Sequence, residues 1–92
     1  MNIKDITDGF FTKSQEEREE IISQVMNIYI ADMIEQGGNL LLLRSHLMLM
    51  KEKAYREEEY EICEVLQQCI DGLTEVLDEL SRLNKGGETD GM

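Results

Sequence analysis

"KAYREEEYEICEVLQQCI", residues 53–70, decides how this chain is arranged. Residues 57–61 set four carboxylates around one tyrosine, and from Ile62 onward the pattern turns apolar and carries two cysteines. Two arrangements fit. The run is either the acidic corner between two helices or the middle of one continuous helix from 40 to 83. No glycine or proline marks a corner here, so the apolar spacing on either side must carry the reading.

Downstream, Ile62, Leu66, Cys69, Leu73, Val76, Leu80 and Leu83 alternate four and three residues apart, a heptad seam. Cys63, Ile70 and Leu77 add a flanking row at every seventh residue. Gly72 falls inside this pattern, where glycine costs about 1 kcal/mol against alanine, and is read as the mark of a close helix crossing. Asn84, Gly86 and Gly87 are expected to end the helix, leaving 85–92 as a flexible tail. Upstream, Leu40, Leu43, Leu47, Met50 and Ala54 form a second helical stripe, with Leu41, Leu42 and Leu49 widening it. Gly37-Gly38 breaks the chain before that helix, and Asn39 stands where a cap is needed.

The segment before the break reads as another helix, to about Gln36. Ile22, Met26, Tyr29 and Met33 form one stripe, Ile21, Val25 and Ile28 a second, and Ile30 and Ile34 add apolar surface on a further side. Its β-branched content leaves a strand open, but its length and three-to-four spacing favour a helix. Ser14 with Glu17 fits a capping box, and Thr12 with Gln15 is an equally legal frame. Residues 1–13 read as an irregular arm anchored by Phe10 and Phe11.

The chain has 92 residues, a net charge of −11, no proline and no tryptophan. A domain this small buries a thin core, which neighbouring chains can extend. Direct nucleic-acid binding is not expected of so acidic a chain, because phosphate affinity comes from Lys and Arg. An anionic membrane surface is disfavoured on the same ground. The charge is uneven. Residues 39–56 carry Arg44, Lys51, Lys53 and Arg56 against Glu52, whereas residues 57–83 carry nine acids against Arg82. Such a pair of helices suits an antiparallel hairpin with complementary edges.

Around the opening stretch, Met50, Ala54, Glu59-Tyr60-Glu61, Cys63, Leu66, Ile70 and Leu73 resemble the UVR motif, the helical hairpin of bacterial excision-repair proteins. The resemblance covers roughly residues 47–80. It implies a hairpin core of Met50, Ala54, Tyr60, Cys63, Leu66, Ile70 and Leu73, with Tyr60 at the motif's aromatic position and packing back toward Met50 or Ala54. It also implies a hairpin that associates with another hairpin. Gln67-Gln68 and Glu64 depart from the motif's usual residues, so repair partners are not implied.

Chemistry is sparse. His46 is the single histidine, and with Cys63 and Cys69 it makes an incomplete ligand set for zinc. The cysteines lie six apart, on different sides of a helix, and are expected as reduced, buried thiols. No nucleophile constellation, no Glu-x-x-His pair for a di-metal bundle and no phosphate-binding loop occurs. Neither enzyme activity nor a cofactor or metal site is expected. With no signal-peptide core at the start and no membrane-length apolar run, a cytoplasmic protein is expected.

The fold expected is all-α, with helices at about 14–36, 39–55 and 59–84, assembled as a helical-bundle dimer. The expected function is a small acidic protein–protein interaction module, homodimeric or docking on a larger complex. Leu77, Leu80 and Leu83 are candidate contacts because the last helix outruns its hairpin partner, and Ile30 and Ile34 because the first helix carries further apolar faces that need cover; the N-terminal arm folding back, with Phe10 and Phe11, is the rival cover. Glu57, Glu58, Glu59, Glu61 and Glu64 form an acidic surface suited to a basic protein. The alternative is an acidic mimic of nucleic acid that inhibits a DNA-binding or defence enzyme of the kind found in phage and mobile elements. A metal-binding regulator using His46 and the cysteines is a third reading.

Overall fold

A computed structural model describes the backbone of residues 3–90 and the side-chain surroundings of residues 3–83. The described chain is helical, in the order α1 (Ile3–Thr7), a 3-10 turn (Phe10–Thr12), α2 (Gln15–Glu35), α3 (Leu40–Arg56) and α4 (Tyr60–Asp90). There are thus four α-helices where the spacing led us to expect three.

The extra helix lies in the segment read as an irregular arm. Ile3 and Ile6 pack against the core from one face of α1, and Thr7 is buried with its hydroxyl donating to the Ile3 carbonyl at 2.9 Å. Phe10 is 1% exposed and anchors the arm as expected, but Phe11 stays exposed. Arg18 clamps the turn. Its Nε donates to the Phe10 carbonyl at 3.2 Å, its Nη2 to the Phe11 carbonyl at 2.7 Å, and its guanidinium lies 5.6 Å from the Phe10 ring centroid. A stable apolar anchor and two charge-assisted bonds give so short a segment its order.

α2 starts at the Ser14 frame. The Ser14 side chain accepts from the Glu17 amide and the Glu17 carboxylate accepts from the Ser14 amide, a complete capping box. The rival frame fails because the Thr12 hydroxyl is engaged with the Gly9 carbonyl at 2.7 Å. α2 turns only Val25 fully inward, while Ile22, Met26, Tyr29 and Met33 rest half-buried on the core.

The core lies between α3 and α4. Leu43, Leu47 and Ala54 of α3 face Ile62, Cys63, Leu66, Ile70 and Leu73 of α4, all buried. Each fully buried leucine contributes about 1.5–3 kcal/mol, so this seam is the main source of stability. The antiparallel register is marked by the Lys51 ammonium on the Gln67 side-chain oxygen, and by the Cys63 thiol 3.6 Å from the Lys51 carbonyl. The hairpin expected from the sequence is therefore present, and the single continuous helix is not.

Asn39 caps α3 as expected, accepting from the Leu42 amide at 3.0 Å. The corner after α3 turns at Glu58, which has a left-handed φ of 60°. The expected end of α4 at Asn84–Gly87 is not seen, as the helix continues to Asp90. Once a helix is nucleated, each further residue adds a hydrogen bond without a new nucleation cost. Of the tail expected over 85–92, residues 91 and 92 lie outside the described residues.

Helix lengths follow from residue counts. α3 has 17 residues and α4 has 31, or about 26 Å against about 46 Å at 1.5 Å per residue. The radius of gyration is 15.3 Å, against about 12 Å for a compact chain of this length. The excess reflects the portion of α4 that outruns α3.

Candidate interaction surfaces

The seam of α4 changes character along its length. Leu66, Cys69 and Leu73 are at most 1% exposed, whereas Val76, Leu80 and Leu83 are 45%, 47% and 64% exposed. All six lie on one stripe at three-to-four spacing. The difference is the partner: extending the hairpin register brings the start of α3 opposite roughly Leu77, and beyond it α3 supplies no cover. Leu77 itself is half-buried. Of the expected contacts on α2, Ile34 is 67% exposed, but Ile30 is half-buried against the core. Ile30 faces inward because it lies one turn after Met26 on the side that meets the core.

A second apolar face was not anticipated. Leu41, Leu42, Met48, Leu49 and Tyr55 are 49% to 66% exposed. Leu41, Leu42 and Leu49 were read as widening the α3 core stripe, and they turn outward instead. The signal was available, since 41, 48 and 55 recur every seventh residue, as do 42 and 49. Beside this face runs a shallow groove of about 370 Å³, with Met48 and Tyr55 on the α3 wall and Gln67 and Ile70 on the α4 wall.

Tyr60 also departs from the resemblance. It is 52% exposed and meets Tyr55 edge-on, with ring centroids 6.1 Å apart. As the first residue of α4 it sits on the outside of the corner, and Ile62 and Cys63 turn inward in its place. Met50 is half-buried on the core, and Ala54, Cys63, Leu66, Ile70 and Leu73 are buried as expected.

The acidic surface is divided. Glu57 and Glu58 are exposed, while Glu59, Glu61 and Glu64 are partly buried. Glu59 pairs with Lys4 of α1 at 3.4 Å and so ties the arm to the corner. The other ion pair among the described side chains, Arg82 with Glu79, lies within α4. Neither crosses from α3 to α4. The basic edge of α3 at Lys53 and Arg56 thus meets no carboxylate among the described residues.

The thiols are held apart. Cys63 and Cys69 are free and buried. Cys63 points at α3, whereas the Cys69 sulfur lies 4.0 Å from the Ile22 carbonyl of α2. Burial pushes the Cys69 thiol up to about 11 and raises Cys63 as well, which disfavours the thiolate that metal binding or nucleophilic attack requires. His46 is exposed on α3, beside a cavity of about 450 Å³ that it shares with Tyr29 and Asp32. Among the described residues no three His, Cys, Asp or Glu side chains are placed to hold a metal. A cavity of similar volume lies between the arm and the start of α4, walled by Phe11, Tyr60 and the acids of the corner. No helix among the described residues is long and apolar enough to cross a membrane.

Gly72 does not serve a close crossing. A β-carbon added there would meet only the Met26 methyl, at 4.0 Å, which is ordinary contact.

No family model matches this chain, and no curated protein or solved structure matches it either.

Proposed function

We propose that this protein is a small acidic protein–protein interaction module whose working surface is the uncovered end of the α4 seam. The observation that carries the reading is the contrast along one stripe, buried at Leu66 and Leu73 and exposed at Leu80 and Leu83. A contiguous apolar strip left in water is a site for helix association. The helical-hairpin type suggested by the UVR resemblance is supported by the buried Ala54, Cys63, Leu66, Ile70 and Leu73, and not by the exposed Tyr60. The function is one of binding, without catalysis or cofactor, in a reducing cytoplasm that keeps both thiols free. A homodimer is the preferred form, with docking onto a larger complex through the same strip as its variant. Light scattering on the eluting protein tests the reading, with the expected mass twice the 10.6 kDa of the chain. A double substitution, Leu80→Asp with Leu83→Asp, is expected to abolish association while leaving the helical circular-dichroism signal intact. Association unchanged by that pair would overturn the reading.

A further inference from the structure

The chain has two phenylalanines and three tyrosines, and they are placed unevenly. Phe10 is buried and Tyr29 half-buried, whereas Phe11, Tyr55 and Tyr60 are 48%, 65% and 52% exposed. These three exposed rings gather at one end of the molecule, around the corner between α3 and α4. Phe11 and Tyr60 wall the same cavity of about 450 Å³, and Tyr55 meets the Tyr60 ring edge-on. Aromatic side chains gathered on a surface are the residue type that anchors interfaces. Both walls are tied in place within the chain. The Lys4–Glu59 pair joins the arm to the corner at 3.4 Å, and Arg18 donates to the Phe11 carbonyl at 2.7 Å.

The charge around the rings gives the sign of the partner. The cavity walls carry Asp8, Glu58, Glu59 and Glu61 against Lys4 alone. Glu59 takes Lys4, which leaves Asp8, Glu58 and Glu61 without an ion pair among the described residues. Lys53 and Arg56 of α3 lie outside these walls. The negative end of the α3 dipole and the positive end of the α4 dipole meet at this corner and offset each other, so the carboxylates set the field. An aromatic face and a carboxylate both attract a cation, and the flat guanidinium of arginine uses the two together. We propose that this corner docks a basic segment of another protein, with an arginine of that segment entering the cavity against Phe11 and Tyr60 and pairing with its free carboxylates. Tyr60 lies about 35 Å along α4 from Leu83. The docking site is therefore separate from the association strip and does not rest on it.

Titration with a capped peptide of alternating arginine and alanine tests the site, with the aromatic rings followed by NMR. The Phe11 and Tyr60 signals should move while those of Phe10 and Tyr29 stay. The same peptide with citrulline for arginine keeps the shape without the charge and should bind about 10-fold more weakly or worse. Tyr60→Ala, at an exposed position, should weaken binding about 10-fold, and Tyr60→Phe should keep it. Glu58→Gln with Glu61→Gln should weaken it and flatten its dependence on salt. Circular dichroism reports the folding of each variant separately. Equal binding of the citrulline peptide would overturn the proposal, as would arginine peptide that leaves the Phe11 and Tyr60 signals in place. Wild-type affinity in Tyr60→Ala would overturn it too, leaving only diffuse attraction to an acidic surface. Leu80→Asp with Leu83→Asp should leave peptide binding unchanged, so the failure of this site and of the α4 strip are read apart.

Discussion

The chain turns after α2 and again after α3 with the same backbone device, but the residues that serve it differ. After α2, the Gly37 amide donates to the Ile34 carbonyl at 3.1 Å and the Gly38 amide to the Met33 carbonyl at 2.9 Å, with Gly37 at φ 73°. After α3, the Glu58 amide donates to the Tyr55 carbonyl at 3.1 Å and the Glu59 amide to the Ala54 carbonyl at 2.9 Å, with Glu58 at φ 60°. Both are Schellman endings. The first is written locally, in a glycine at the left-handed position and an asparagine cap two residues on. The second puts a glutamate where a side chain costs about 1–2 kcal/mol. What holds it is tertiary: Ala54 before the corner and Ile62, Cys63 and Leu66 after it are all buried together. A corner can thus be imposed by burial on both sides with no local residue asking for it.

The second corner is most vulnerable from the core. Leu66→Ala removes a side chain with no exposure, about two turns beyond the second corner, and should cost about 2–5 kcal/mol in urea unfolding. A loss below about 1 kcal/mol would mean that packing does not hold that corner. Gly37→Ala probes the first. A β-carbon there meets nothing within 4 Å, so only the left-handed backbone is penalised, by about 1–2 kcal/mol. A neutral result would show that this corner too is held from outside.

Glu58→Gly is the converse and should stabilise the protein by about 0.5–1 kcal/mol. The relief of the left-handed strain exceeds the extra entropy that glycine loses on folding. Destabilisation would instead assign the Glu58 side chain a contact that matters. The smallest effect is at the start of α2, where the exposed Glu17 carboxyl is held below its ordinary value by hydrogen bonds from the Ser14 backbone and hydroxyl. Its stabilising contribution is present above the ordinary carboxylate range and is lost as the pH falls through its lowered value. Acid titration of stability in Glu17→Gln should lack that part of the decline, and an unchanged profile would count against the box.

This contrast also explains how far the sequence could be read. Gly37-Gly38 and Asn39 declare their corner outright. The second was legible only because the heptad row from Ile62 and the stripe ending at Ala54 needed each other. The buried hairpin residues, the Ser14 cap and the Phe10 anchor were legible for similar reasons, each resting on a spacing or a pairing. Four consecutive leucines at 40–43 hid the outer face of α3, because such a run encircles the helix and shows no side. Tyr60 was misplaced because the left-handed step at Glu58 rotates the start of α4, and nothing in the residue type announces that step. α1 was missed because five residues are too few to display a period.

On the proposed reading, the apolar strip of α4 that is open in the single chain is covered by another copy in solution. A soluble nitroxide added to methyl-labelled protein measures this directly, since it broadens only those methyls it can approach. Leu80 and Leu83 should be protected to nearly the level of Leu66, while Ile34, 67% exposed and outside the α4 strip, should be broadened. Broadening of Leu80 and Leu83 as strong as that of Ile34 would contradict it.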